Sequence, residues 1–173
     1  KQDPDLASLI KEIVIMGGAI EVPGNKNRVA EFNVFVDPEA AKIVFDAKVK
    51  KVLVPLDRCN EIPLFLDDFD KLKGSKLHKP VMAMMRHFIK GIAKFEGIEG
   101  ALVYDALAAY YLVNPKAFVL KKMDVKIETD GELTRGMSVA DRRTWGEKEP
   151  NVEVVVKIDR NRFVKDFIKI LRR

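Results

Sequence analysis

The sequence predicts an α/β protein built on an open, mostly parallel sheet flanked by helices. Three observations carry that expectation. The apolar runs Ile13-Val14-Ile15-Met16 and Val52-Leu53-Val54 are too short for helices and read as buried strands. A segment with helical spacing lies between them, and strand, helix, strand is the order of a parallel crossover. A further strand-like run over 151–158 leads directly into an amphipathic helix.

Residues 5–11 carry a short helical pattern, and 12–16 form a strand halted by Gly17-Gly18. A polar loop follows, Gly24 to Asn33. Asp37 is a good N-cap with Pro38 at the first helical position, and the helix runs to Lys48, burying Ala41, Val44 and Phe45. Residues 51–55 form the next strand. The acidic stretch 60–72 is helical or irregular, and 74–80 reads as a linker inside the fold. Segments 81–95 and 104–112 are helical, the second ended by Asn114-Pro115. Residues 118–128 read as one strand, with Val119, Met123, Val125 and Ile127 in near alternation, and 151–158 as a half-exposed strand. Asp159 caps a last helix whose buried stripe is Phe163, Phe167, Ile170 and Leu171. No internal repeat or low-complexity segment is present.

The 173 residues suit a single domain with a real core. Apolar residues at 47% and charged residues at 33% fit a soluble globular chain. The 31 Lys and Arg exceed the 26 Asp and Glu only modestly and are spread along the chain, so no nucleic-acid partner is expected. The densest basic stretch, 159–173, alternates charge with an apolar face and reads as a solvated helix surface. A single cysteine, Cys59, excludes an internal disulfide and fits a reducing, cytoplasmic compartment. No apolar run approaches membrane-spanning length, so no membrane partner is expected. The start, Lys1-Gln2-Asp3-Pro4-Asp5, has neither an initiator Met nor signal-peptide features.

The loop after the first strand, Gly24-Asn25-Lys26-Asn27-Arg28-Val29-Ala30-Glu31-Phe32-Asn33, concentrates hydrogen-bonding side chains. Asn25, Glu31 and Asn33 offer amide donors, amide acceptors and a carboxylate, a set able to hold a polyhydroxylated ligand. From the residues alone, a Gly/Asn turn with no ligand is the favoured reading. Gly17-Gly18 lacks the spaced three-glycine fingerprint of a dinucleotide module, which sets that reading aside.

Six pieces occur in order along the chain: Val14-Ile15-Met16-Gly17-Gly18, Gly24-Asn25 with Ala30-Glu31-Phe32-Asn33, Asp37-Pro38-Glu39-Ala40-Ala41, Leu53-Val54-Pro55-Leu56-Asp57, Tyr104-Asp105-Ala106-Leu107-Ala108, and the segment from Gly131-Glu132-Leu133-Thr134-Arg135-Gly136-Met137-Ser138 to Asp141-Arg142-Arg143. The series resembles the inosine-uridine preferring nucleoside hydrolases. The resemblance covers only the C-terminal half of that family, so 1–173 reads as the C-terminal half of one nucleoside hydrolase-like domain with a Rossmann-like sheet. The family's aspartate-rich strand-end motif, which holds most of its calcium ligands, has no counterpart here. Asp67, Asp68 and Asp70 lie mid-chain in a different context. The expectation is that an N-terminal half, in the same or another polypeptide, completes the domain.

The resemblance implies hydrolysis of the N-glycosidic bond of ribonucleosides to free base and ribose. That bond breaks through an oxocarbenium-like transition state, which needs a water nucleophile, stabilisation of the ribosyl cation and protonation of the departing base. Bound Ca2+ can position and acidify the water and hold ribose hydroxyls. Carried over by motif, Asp105 matches the aspartate that binds calcium and the ribose 3′-hydroxyl, and Asn33 the asparagine on the lower ribose hydroxyls. Asn25 and Glu31 match the 5′-hydroxyl grip, and Met16 the methionine packed under the sugar. From the residues alone, Asp105 also reads as a helix N-cap and Met16 as strand-end core.

The pattern breaks at Tyr104, where many members place a histidine proposed to protonate the leaving base. A neutral tyrosine is a weaker donor near neutral pH but can still contact the base. His87 on the 81–95 helix is a second candidate for that contact, or a plain helix histidine. Phe88 is a wall for the base or core, and His78 reads as exposed loop. Cys59 is assigned no chemistry, and Arg142 and Arg143 read as structural or subunit-contact residues. The alternative function is a diverged, non-catalytic nucleoside-binding or structural subunit. An open sheet cut through its middle exposes a strand edge, so the chain is expected to need its missing half or to form an oligomer.

Overall fold

The computed structural model describes residues 5–172, apart from the side chains of 95 and 96. In chain order the elements are α1 (Leu6–Leu9), β1 (Ile13–Met16), α2 (Phe32–Val36), α3 (Pro38–Asp46), β2 (Lys51–Val54), α4 (Leu56–Cys59), α5 (Leu66–Phe69), α6 (His78–Glu96), α7 (Tyr104–Val113), β3 (Phe118–Met123), β4 (Val125–Ile127), β5 (Ser138–Ala140), β6 (Val152–Ile158) and α8 (Arg160–Leu171).

The main sheet has the order β1-β2-β6-β3. β1, β2 and β6 run parallel, with Val14 opposite Val52 and Leu53 opposite Val154, while β3 is antiparallel to β6. The mostly parallel α/β arrangement expected from the strand–helix–strand order is present. Side-chain alternation along β2 builds two cores, one on each face. Val52 and Val54 join Leu107, Tyr110, Phe118, Phe163 and Ile168 on the face covered by α7 and α8. Leu53 joins Val34, Phe45, Val125 and Ile127 on the other face, under α2, α3 and the small β4–β5 hairpin.

Four elements differ from expectation, each for a visible reason. The run 118–128 is two strands in separate sheets. Asn151 accepts a hydrogen bond from the Val125 N–H at 2.9 Å and donates to the Val125 carbonyl at 2.8 Å, which takes both main-chain groups away from the main sheet. β6 is an interior strand rather than a half-exposed one. Neighbours on both sides and helices on its faces bury Val154 and Val155 together. α6 begins at His78, not Val81, because Pro80 in the first turn needs no hydrogen-bond donor there. His78 is accordingly a half-buried helix residue and not exposed loop. In α8 the buried stripe runs through Phe163, Val164 and Ile168, which leaves Ile170 on its flank and 48% exposed. Asp37 and Asp159 cap α3 and α8 as expected, accepting from Ala40 N–H at 2.9 Å and Arg162 N–H at 3.0 Å.

Candidate functional site at the carboxyl end of the first strand

Ligands of open α/β sheets bind beyond the carboxyl ends of the strands. In this chain that end of β1 continues as Met16-Gly17-Gly18 and is fixed by two buried carboxylates. Glu31 Oε2 accepts from the Gly18 N–H at 3.0 Å. Asp57 accepts from the Ile20 N–H at 2.9 Å and the Glu21 N–H at 2.7 Å. Gly18 has φ +73°, and a Cβ there would stand 2.7 Å from Ser138 Oγ, so glycine is required twice over. Asp57 is 3% exposed, and sequence reasoning gave it no role although it lies in the quoted strand-end motif. Its only sequence signal is an acidic side chain just after an apolar strand end.

The polar loop folds back on itself. Asn27 Oδ1 accepts from the N–H groups of Val29 and Ala30, at 2.9 and 2.7 Å. Asn25 Oδ1 accepts from Phe32 N–H at 2.9 Å. Glu31 is 2% exposed and is the N-cap of α2. Besides Gly18, its carboxylate accepts from Asn33 N–H and, at 3.4 Å, from Val34 N–H. Asn33 donates from Nδ2 to the Met16 carbonyl at 3.2 Å and lies 3.3 Å from the Met16 sulfur. Asn25 lines a separate recess of about 340 Å³ with Gly24, Leu56 and Asn60.

A larger cavity of about 750 Å³ opens between α6 and the start of α7. It brings His87, Phe88, Tyr104 and Asp105 onto one wall system with Met84 and Met85. Phe88 is 40% exposed there rather than in the core. Met84 and Met85 were not singled out from the sequence, because methionines on a helix look like ordinary filling. α7 packs against β1, and Met16 and Tyr104 border the same apolar core.

Cys59 connects the two regions electrostatically. Burial first, then the charges of Glu31, Asp105 and Asp57, push its thiol up to about 12. Such a thiol is not a nucleophile near neutral pH, which agrees with the role withheld from it. Of the mid-chain aspartates, Asp68 serves the fold: it accepts from Phe65 N–H at 2.9 Å and pairs with Arg160 at 2.9 Å. Arg143 lies 2.6 Å from Asp141 and Arg142 lies 3.8 Å from Glu21. Among the described residues, no three His, Cys, Asp or Glu side chains gather as a metal centre. Ca2+ takes about six to eight oxygen ligands, so the donors gathered here do not by themselves fit it.

The family model of the inosine-uridine preferring nucleoside hydrolases matches residues 1–165. The chain belongs to the inosine-uridine preferring nucleoside hydrolase family. It is 34% identical over 166 residues to the pyrimidine-specific ribonucleoside hydrolase RihA of Shigella boydii serotype 4, covering 93% of this chain and 52% of that protein. A plant nucleoside hydrolase superposes with a TM-score of 0.88 at 25% identity, over 99% of this chain and 56% of the other. A purine-preferring ribonucleoside hydrolase from Gardnerella vaginalis superposes at 0.85 with 26% identity, over 96% and 54%. The chain therefore spans about half the length of these nucleoside hydrolases.

Proposed function

We propose that this chain forms the ribose- and base-contacting half of an enzyme that hydrolyses the N-glycosidic bond of ribonucleosides. The observation that carries the reading is the convergence of Tyr104, Asp105, His87 and Phe88 on one cavity beside the Met16 end of β1, in a chain the family model matches over 1–165. Asn33 is held by the Met16 carbonyl and presents its amide to the lower ribose hydroxyls. Met16 packs under the sugar. Asn25 contacts the 5′-hydroxyl, its Oδ1 anchored on Phe32 N–H so that the Nδ2 end serves the ligand. Glu31 acts on that hydroxyl by holding the loop: its buried carboxylate is committed to main-chain donors, which makes it a positioning residue in place of the direct grip expected from the sequence.

Asp105, exposed in the first turn of α7, holds the 3′-hydroxyl and contributes one calcium ligand. The other ligands come from the half of the family fold that this chain does not match. Tyr104 donates a hydrogen bond to the departing base, with His87 as a second donor and Phe88 as a stacking wall. Contacts that tighten as the sugar flattens toward the oxocarbenium ion favour bond cleavage over mere binding. A cytoplasmic setting, in keeping with the lone buried Cys59, and an oligomeric assembly belong to the same reading.

Base release from inosine and uridine by the chain joined with the complementary half, in the presence of calcium, tests the proposal. A second reading, a subunit that binds nucleosides without turnover, is favoured by Tyr104 standing where many members have histidine. Calorimetry distinguishes it: ribose or nucleoside binding with no base release supports this second reading.

A further inference from the structure

We infer that Asn60 is a further substrate-binding residue, the acceptor for the proton of the ribose 5′-hydroxyl, and that it makes the site discriminate ribonucleosides from their 5′-deoxy analogues. The inference rests on the proposed function for its ligand, and on the hydrogen bonds of the polar loop for the residue. A hydroxyl brings one proton to donate and an oxygen that accepts. In the proposed grip Asn25 Nδ2 donates to that oxygen, so a separate acceptor must take the proton. The polar loop around Asn25 has its acceptors engaged. Asn25 Oδ1 accepts from Phe32 N–H, and Asn27 Oδ1 from the N–H groups of Val29 and Ala30. Both Glu31 oxygens accept from main-chain donors. Asn33 stands at the Met16 carbonyl, outside the recess that Asn25 lines.

Asn60 does line that recess, which measures about 340 Å³ and has Val22, Pro23, Leu56 and Ile98 as apolar walls. Among the described residues lining it, Asn25 and Asn60 are the two whose side chains form hydrogen bonds, and none is charged, which suits a neutral hydroxyl. Asn60 Oδ1 is enclosed and has no hydrogen-bond partner among the described residues. Buried polar groups are nearly always paired, because a buried acceptor without a donor is costly. A ligand hydroxyl in the recess supplies the missing donor. The last side-chain torsion of asparagine is broad, so the amide turns toward the recess without moving the helix. The main chain around it is fixed. Asn60 N–H donates to Leu56 O, and Leu56 N–H to Gly18 O, each at 2.9 Å. Asn60 is thereby tied to the same turn that Glu31 holds through the Gly18 N–H, so Asn25 and Asn60 face the recess from one connected frame.

The test uses the chain joined with the complementary half and calcium, with uridine and 5′-deoxyuridine as probes. Asn60→Leu should lower kcat/KM for uridine about tenfold, the equivalent of about one lost hydrogen bond, and leave 5′-deoxyuridine unchanged. Asn60→Asp keeps an acceptor of the same shape and should retain the preference for uridine. Because Oδ1 has no partner to lose, Asn60→Leu should not lower the urea midpoint, which separates a ligand contact from a structural one. Equal losses on both substrates, an unaltered kcat/KM for uridine, or a loss that follows a fallen urea midpoint would each overturn the inference and leave the proposed function standing. Absence of base release from either probe removes the proposed function. In that case calorimetry decides for Asn60: a preference for uridine over 5′-deoxyuridine that Asn60→Leu abolishes leaves its assignment standing, and no such preference overturns it as well.

Discussion

Glu31 Oε2 accepts a hydrogen bond from the main-chain N–H of Gly18 at 3.0 Å, across 13 residues of chain, and both groups are buried. One carboxylate thus fixes the turn after β1 and, through the Asn33 and Val34 N–H groups, the start of α2. The loop that carries Asn25 and Asn33 is held in place by this side chain.

Glu31→Ala leaves those buried donors without an acceptor and should destabilise the chain by about 3 kcal/mol, while Glu31→Gln, which keeps one carbonyl oxygen, should cost about 1 kcal/mol. Urea midpoints of the assembled protein measure both. A Glu31→Ala protein of unchanged stability but lost sugar affinity would make Glu31 a ligand contact instead.

Asp105 is exposed at the first turn of α7, where it contributes at most about 1 kcal/mol to the helix. Asp105→Ala should therefore barely move the urea midpoint, yet lower base release on the order of a hundredfold, as expected when a sugar loses a positioning contact. The split between stability and turnover is the readout.

Much of this was legible in the sequence, because short-range rules decide it. Gly17-Gly18, Asp37-Pro38 and Asp159 each announce an element boundary through their own conformational or capping chemistry. The motif series likewise pointed to the strand end where Glu31, Asn33 and Met16 meet. What was not legible depended on contacts far apart in sequence. Asn151 takes the main-chain groups of Val125, splitting one apparent strand into two. The buried hydrogen bonds of Glu31 to Gly18 and of Asp57 to Ile20 and Glu21 cross long stretches of chain, so no local pattern announces them. Phe88 and the methionines beside it look like core until α6 is seen bordering a cavity.

Tyr104→Phe removes the donor proposed for the leaving base and should lower turnover about a hundredfold, in the range of general acid catalysis. Tyr104→His supplies an imidazolium, so its activity should rise as pH falls through about 6.5. A pH–rate profile separates the two variants. Profiles with no difference from the unmodified protein would remove Tyr104 from the reaction.

Cys59 should resist alkylation in the folded chain, since its thiol is pushed up to about 12 by burial and by three neighbouring carboxylates. Iodoacetamide at pH 8 should modify it only in urea. Rapid labelling of folded protein would show a more open site than the one described.

Tyr110 ties α7 to α8, donating from its hydroxyl to Asp166 at 2.6 Å, with Asn114 donating to both. Burial first and Asp166 second push the Tyr110 phenol up to about 12. Its contribution to stability is full below the unfolded value of about 10 and is lost as pH rises toward the folded value. The Tyr110 hydrogen bond holds the Asp166 carboxyl below its usual range, so that contribution is present above about pH 4 and lost as pH falls through the lower folded value. Tyr110→Phe should cost about 1 kcal/mol at neutral pH and flatten the alkaline limb of the stability curve. An unaltered alkaline limb would argue against the coupling.

The most direct test of the central claim is chromatographic detection of free base from inosine and uridine, using the chain assembled with the complementary half of the fold and calcium. The account predicts hypoxanthine and uracil release that falls sharply with Asp105→Ala. A correctly folded assembly that releases neither base would contradict it.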